Sequence, residues 1–308
     1  MRIRSCFLLA LSFAWGHGLS ADVLYSATDL GFPSYGNGIN NAGQVTGHAY
    51  SDTGRYAFLY SNGQVIDLGG RGNGISGNGI NNAGQVTGIS GDGHAVIWTN
   101  GQMMDLGPRT GNGINDAGQV TGTSGGHAVI WTNGQMIDLG PGSGNGINNA
   151  GQVTGYLTDI GRHAFLYSNG QMTDLGTLAG RFSYGLGIND AGQVTGYSDT
   201  ANGYAHAFLY SSGQMIDLGT LGPCPRFASG FCSVGLGINN AGQVVGVSYR
   251  ETFNLHTYAF LYSDGQMKEL DNLTDRAFDN LRGATAINDG GQIVANSGRH
   301  RLSGHSRA

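Results

Sequence analysis

The stretch GINNAGQVTG at residues 38–47 returns letter for letter at 79–88 and 146–155. Altered copies start at 113 and 187 (GINDAGQVTG), at 237 (GINNAGQVVG) and at 286 (AINDGGQIVA). Each copy reads as a β-hairpin: a short strand, an Asn-Ala-Gly turn whose glycine suits the left-handed region, and a returning strand that begins at Gln. A second motif alternates with the first, AFLYSNGQVIDLG at 57–69, with relatives starting at 95, 128, 164, 207 and 259. There, two alternating stretches flank Asn-Gly, the dipeptide suited to a two-residue type I′ turn. One unit therefore holds four strands: GIN, QVTG, AFLYS and QMIDLG.

The isoleucines at 39, 80, 114, 147, 188, 238 and 287 mark the period, with spacings from 33 to 50 residues. Four short antiparallel strands repeated at uneven spacing predict an all-β chain, a seven-bladed β-propeller of four-stranded antiparallel blades. A solenoid would keep a more constant rung. Seven first motifs are matched by only six complete second ones. The missing outermost strand stands near the chain start as VLYSATDLG (23–31). The missing third strand is expected in GRHRLS (298–303), an echo of GRHAFLYS (161–168). The propeller is thus expected over residues 22–303, closed by its N-terminal strand, with a short tail at 304–308.

Composition agrees with many short strands and tight turns. Of 308 residues, 57 are Gly, yet there is no Gly-X-Y period, and 39% hydrophobic residues suffice for a core. Residues 1–21 read as a secretory leader, with Arg2 and Arg4 as the basic start, an apolar run from Phe7 to Trp15, and Leu19-Ser20-Ala21 as the cleavage site. The run falls short of the roughly 20 residues of a membrane span. The expectation is an exported chain, extracellular or periplasmic, with no membrane span after maturation. A net charge of −5 with one lysine, Lys268, argues against nucleic acid as a partner. With Cys6 in the leader, Cys224 and Cys232 remain, eight apart in PCPRFASGFC, and are expected to form a disulfide.

The run His163-Ala164-Phe165, repeated at His206-Ala207-Phe208, is followed by DLGTL (174–178, 217–221) and then by the INxxGQVxG hairpin. In this the chain resembles the HAF family, extracellular repeat proteins of bacteria named for that tripeptide. The resemblance covers essentially the whole mature chain. Units two and three differ from it with His94-Ala95-Val96 and His127-Ala128-Val129, and the first and sixth carry Tyr56 and Tyr258 in place of His. It implies export and a repeat fold, and brings no activity.

An acid recurs at one place in every unit: Asp29, Asp67, Asp105, Asp138, Asp174, Asp217 and Glu269. Catalysis needs carboxylates in unlike environments, and identical positions in separate blades give like ones. These acids, and His94, His127, His163 and His206 beside them, are therefore expected to be partners at strand ends. No catalytic set, metal site or cofactor is expected. All thirteen glutamines follow a turn glycine and are expected to begin returning strands at a wet rim. Tyr60, Trp98, Trp131, Tyr167, Tyr210 and Tyr262 sit mid-strand, between blades or near the outer rim, and are expected to serve core packing.

All tight turns fall on one side of such a ring, so the variable connections gather on the other. Charge and aromatic side chains in loops on a rigid scaffold are where binding usually lives. The candidate ligand-binding residues are Arg71, Arg109, Arg181 and Arg226, in matching connections between blades, with Phe182, Tyr184 and Phe227 beside them. The reading is a secreted binding or surface-interaction module for carbohydrate or an anionic extracellular polymer. Two others stand beside it. One is a polysaccharide-active enzyme with a funnel site, for which only Glu251 and His256 of the sixth unit differ enough from the repeat. The other is a structural envelope or matrix protein.

Overall fold

The computed structural model of the chain describes residues 5–11, 25–70, 72, 74–159, 161–224, 230–250, 256–274 and 281–298. Its architecture is all-β and of propeller type, with its strands paired antiparallel and, among the described residues, one short 3₁₀ turn at Leu270–Leu273. Unit four shows the plan. Its inner hairpin pairs the end of Gln135–Ile147 with Val153–Leu157, and its outer hairpin pairs His163–Ser168 with Gln171–Asp174. Middle strands pair directly, so four strands run in sequence order from the inner to the outer edge.

The turns take the conformations their residues favour. Asn62 and Gly63 both have positive φ (51° and 77°), the type I′ geometry that only a small polar residue and glycine adopt easily. In the inner hairpin Gly43 lies at φ 75° and donates its N–H to the Asn40 carbonyl at 3.0 Å.

The apolar side chains pack between units rather than within one. Ala128 and Ile130 of unit three meet Ile147, Val153 and Phe165 of unit four, and Ala164 meets Val194 and Phe208 of unit five. Trp98 and Trp131 are buried in two such layers. Close approach is set by a glycine on each inner strand. A Cβ at Gly144 would lie 2.1 Å from Thr121 Oγ1 of the preceding unit, and the same holds at Gly185 with Thr154.

The chain ends meet in the seventh unit, which differs from expectation. Leu281–Ile287 and Ile293–Ser297 form its inner hairpin, and the first half of Tyr25–Ile39 forms its outermost strand. The third strand is Ser5–Leu11, paired on one side with Ile293–Ser297 and on the other with 25–33. It is not 298–303, of which only Gly298 lies within the described residues. The physical reason is that this strand is buried on both faces. Cys6 joins the layer toward unit one and Phe7 and Leu9 the layer toward unit six, each at most 1% exposed. The Arg and His of GRHRLS would not fill those layers. The apolar stretch expected to be a leader is here a core strand.

Two connections between units are continuous strand. Tyr25–Ile39 and Gln135–Ile147 each run from the outer edge of one unit to the inner edge of the next.

Candidate functional site

The two ends of the inner hairpins differ in chemistry. At the turn end, Asn148 is buried, and its Oδ1 accepts the N–H groups of Ala150 and Gln152. Its Nδ2 donates to Gln152 Oε1 at 2.7 Å and to the Asn189 carbonyl of the next unit at 2.9 Å. The cross-unit bond repeats from Asn40 to Asn81, to Asn115, to Asn148, to Asn189, to Asn239, to Asn288, and from Asn288 back to Asn40. One residue further on, a second series runs from backbone N–H to side-chain oxygen through Asn41, Asn82, Asp116, Asn149, Asp190, Asn240 and Asp289. The inner-hairpin glutamines are members of this scaffold, whereas the outer-hairpin ones, such as Gln171, are exposed at strand starts. Gln152 Nε2 reaches Ser168 at 3.0 Å, tying the inner hairpin to the third strand. That is more than the wet-rim placement expected of the inner-hairpin ones. With these bonds satisfied inside the protein, the turn end is structure.

At the opposite end, the residues facing each other across the hairpin vary from unit to unit. Tyr184 pairs with Tyr197, and their rings stack at 4.7 Å and 19°. Tyr156 of unit four lies 4.7 Å from Tyr184, Phe231 lies 5.1 Å from Tyr197, and Tyr249 lies 6.3 Å from Phe231. These five half-buried rings form a run across units four, five and six. Burial first, then the neighbouring Tyr184, raises the Tyr197 hydroxyl well above its ordinary value, and burial raises that of Tyr249. A cleft of about 670 Å³ adjoins it, lined by Tyr249, Val247, Thr257, Arg282 and Tyr35 among others.

Of the residues expected to bind, Tyr184 is central to this run. Arg181 is exposed at the start of the same strand, with its guanidinium 5.2 Å from the Phe182 ring. Arg109 is exposed two units away, at φ 105°. Arg71, Arg226 and Phe227 lie outside the described residues, as does Glu251. His256 Nδ1 lies 3.4 Å from Arg282, so its neighbour is a cation rather than an acid. Tyr156, Tyr197, Phe231 and Tyr249 were not among the expected residues. Tyr156 and Tyr197 each follow a QVTG, where other units carry His48, Ile89 or Thr123, and that variable letter was the signal for them.

The outer strands carry the histidine–acid pairs. His94, His127, His163 and His206 hold Nδ1 within 2.8–2.9 Å of Asp105, Asp138, Asp174 and Asp217. Phe165 stands opposite Asp174, which puts His163 diagonally across from it. Each acid also accepts a backbone N–H two residues on, from Gly107, Gly140, Gly176 or Gly219. Asp105 and Asp138 are held below the ordinary carboxylate value by that N–H first and then by the imidazole. Burial works the other way at Asp217, but its bonds to His206 and Gly219 prevail. His94 is raised, chiefly by its bond to Asp105. In unit six the pair becomes Arg250 and Glu269, 2.8 Å apart. Cys224 and Cys232 are joined, as expected. Among the described residues no helix is long and apolar enough to cross a membrane.

The fold and these sites define a propeller-type repeat protein with one bonded end and one varied end. No protein-family model matches the chain, and no curated protein is similar to it. Solved structures do share the fold. A candidate TolB from Agrobacterium tumefaciens superposes with a TM-score of 0.50 at 13% identity, covering 98% of this chain and all (100%) of that one. TolB from Acinetobacter baumannii gives 0.44 at 14% identity, over 97% of this chain and 64% of that one. A gluconolactonase from Xanthomonas campestris gives 0.42 at 12% identity, over 86% and 98%. This chain thus spans under two thirds of the Acinetobacter protein. At such identities the likeness speaks for the fold alone.

Proposed function

We propose that this chain is an exported, closed seven-bladed β-propeller of the HAF type that binds extended carbohydrate on the varied end, across blades four to six. Closure is supported by the seven Asn-to-carbonyl bonds that lead from Asn40 back to Asn40. It is supported too by the buried layer in which Val294 of the last unit meets Val45 and Phe58 of the first. Export is supported by the Cys224–Cys232 disulfide, a bond of oxidising compartments. The observation that carries the binding reading is the run Tyr156–Tyr184–Tyr197–Phe231–Tyr249, with Arg181 beginning the central strand. Flat rings, four of them with a polar tip, offer apolar faces to sugar rings and hydroxyls to their edges. Arg181 adds a bidentate donor for a carboxylate or sulfate on the polymer.

Binding to immobilised neutral and acidic glycans tests this. Tyr184→Ala and Tyr197→Ala should each weaken binding at least tenfold. Arg181→Gln should weaken only acidic glycans and flatten their salt dependence. Asn133→Asp, in a tight turn of the other face, should leave both unchanged. Equal binding by the tyrosine variants and the parent chain would overturn the reading.

A further inference from the structure

Four histidine–aspartate pairs stand at equivalent places, and one of them has company that the others lack. His206 Nε2, the nitrogen left over from the Asp217 bond, lies 3.7 Å from Cys224 Sγ. The ligand atoms of His206, Cys224 and Cys232 all fall within 4.8 Å of one another. Two of the three are fixed by the same stretch of backbone. Cys232 donates its N–H to the Ala205 carbonyl at 2.9 Å, and Ala205 donates to the Gly230 carbonyl at 2.7 Å. Cys232 is fully buried, and His206 is the least exposed of the four histidines at 20%.

We infer that, once the Cys224–Cys232 bond is reduced, the two sulfurs and His206 Nε2 form a three-ligand site for a thiophilic divalent cation of the zinc type, with water in the fourth place. Tetrahedral zinc holds sulfur at about 2.3 Å and imidazole nitrogen at about 2.0 Å, which sets the two about 3.6 Å apart. The nitrogen–sulfur separation already present matches this. Asp217 supplies the outer carboxylate that ligating histidines almost always have, fixing the tautomer that leaves Nε2 free. His94, His127 and His163 have the carboxylate without the thiols, which makes them internal controls. Two thiolates and a neutral imidazole balance the charge of a divalent ion, so binding displaces two protons.

The reduction balances with a water-soluble phosphine. The disulfide takes up two electrons, its sulfurs receive both protons of one water, and the phosphine keeps the oxygen as phosphine oxide. Cobalt(II), added to the phosphine-reduced full-length chain, is the probe. One equivalent should give thiolate-to-cobalt charge-transfer bands with the visible pattern of tetrahedral coordination, and zinc should abolish both. The oxidised chain should give neither. Cys224→Ser and His206→Asn should lose the tetrahedral pattern, and Asp217→Asn should bind about 10- to 100-fold more weakly. His163→Asn should match the parent chain. No bands in the reduced parent chain, or an unchanged spectrum in His206→Asn, would overturn the site and leave a disulfide only. Each variant's thermal melt before phosphine is added shows that it is folded.

Discussion

The two ends of the inner hairpins obey opposite rules. At the turn end each unit repeats the same Asn and Gln and follows the Asn with a second Asn or an Asp, and these side chains bond one another. At the other end the facing pairs are Tyr35/His48, Ser76/Ile89, Thr110/Thr123, Ser143/Tyr156, Tyr184/Tyr197 and Val234/Val247, and all six differ. Both ends belong to the same strands, so strand formation does not explain the contrast. Repetition records what joining one unit to the next requires. Variation marks the end where no shared junction bond fixes the residue.

If that contrast is right, damage to shared residues should cost stability and damage to varied ones should cost binding. The largest effect is expected at the seam. A chain beginning at residue 22 lacks Ser5–Leu11, so Phe7 and Leu9 leave the core and two strands lose a partner. Large-to-small losses of that kind cost several kcal/mol each, so calorimetry should show melting at least about 10 °C lower. Unchanged melting would mean that another segment takes this place. N-terminal sequencing of exported protein shows which chain the cell keeps.

Next comes Asn148→Ala, which removes four hydrogen bonds, two from backbone N–H groups of its own turn and one across to the Asn189 carbonyl of the next unit. A loss of about 3 kcal/mol in urea unfolding is expected, with glycan binding unaffected. A variant as stable as the parent would break the claim that this end is a fastening. Gly144→Ala should lose about 1–3 kcal/mol by overpacking against Thr121 Oγ1. Adding Thr121→Ala should recover some of that loss, because the clashing atom is gone. An additive double variant would show that the two residues do not meet.

The smallest effect concerns the outer pairs. The raised His94 contributes stability that is full below the ordinary imidazole value of about 6.5 and is lost as pH climbs through its folded value. The lowered Asp105 and Asp138 contribute above about pH 3.9 and lose it as pH falls through their folded values. Melting temperature should therefore be highest between these limits and fall gently on both sides. Asp105→Asn should flatten both slopes slightly, since the pair is exposed. Slopes identical to the parent's would remove the pair from the account.

Much of this was legible in the sequence because it repeats. Asn62-Gly63 announces its turn, and DLG places an acid opposite Phe165 once that turn is two residues long. At the seam, SCFLLAL carries two signals at once. An apolar run after arginines describes a leader, and the same run suits a strand buried on both faces. The aromatic run was half seen. Tyr184 stands in a connection that drew attention by its charge, whereas Tyr156 and Tyr197 looked like strand residues and meet Tyr184 only when neighbouring units pack. The metal-ligand geometry at His206 was invisible for the same reason, since 18 residues separate His206 from Cys224.

The circuit of asparagines also bears on copy number. Tandem repeats in a gene gain and lose members readily, and a chain whose units only stacked could accept either change at its ends. Here each Asn donates forward and each backbone carbonyl accepts from behind, and the last donor, Asn288, finds its acceptor in the first unit. Dropping one unit leaves a donor and an acceptor facing a gap, unless every remaining junction tilts to close it. An extra unit has to separate neighbours that already satisfy each other. If the ring closes as proposed, the number of repeats is held by a hydrogen-bond tally that comes out even only when the last unit meets the first.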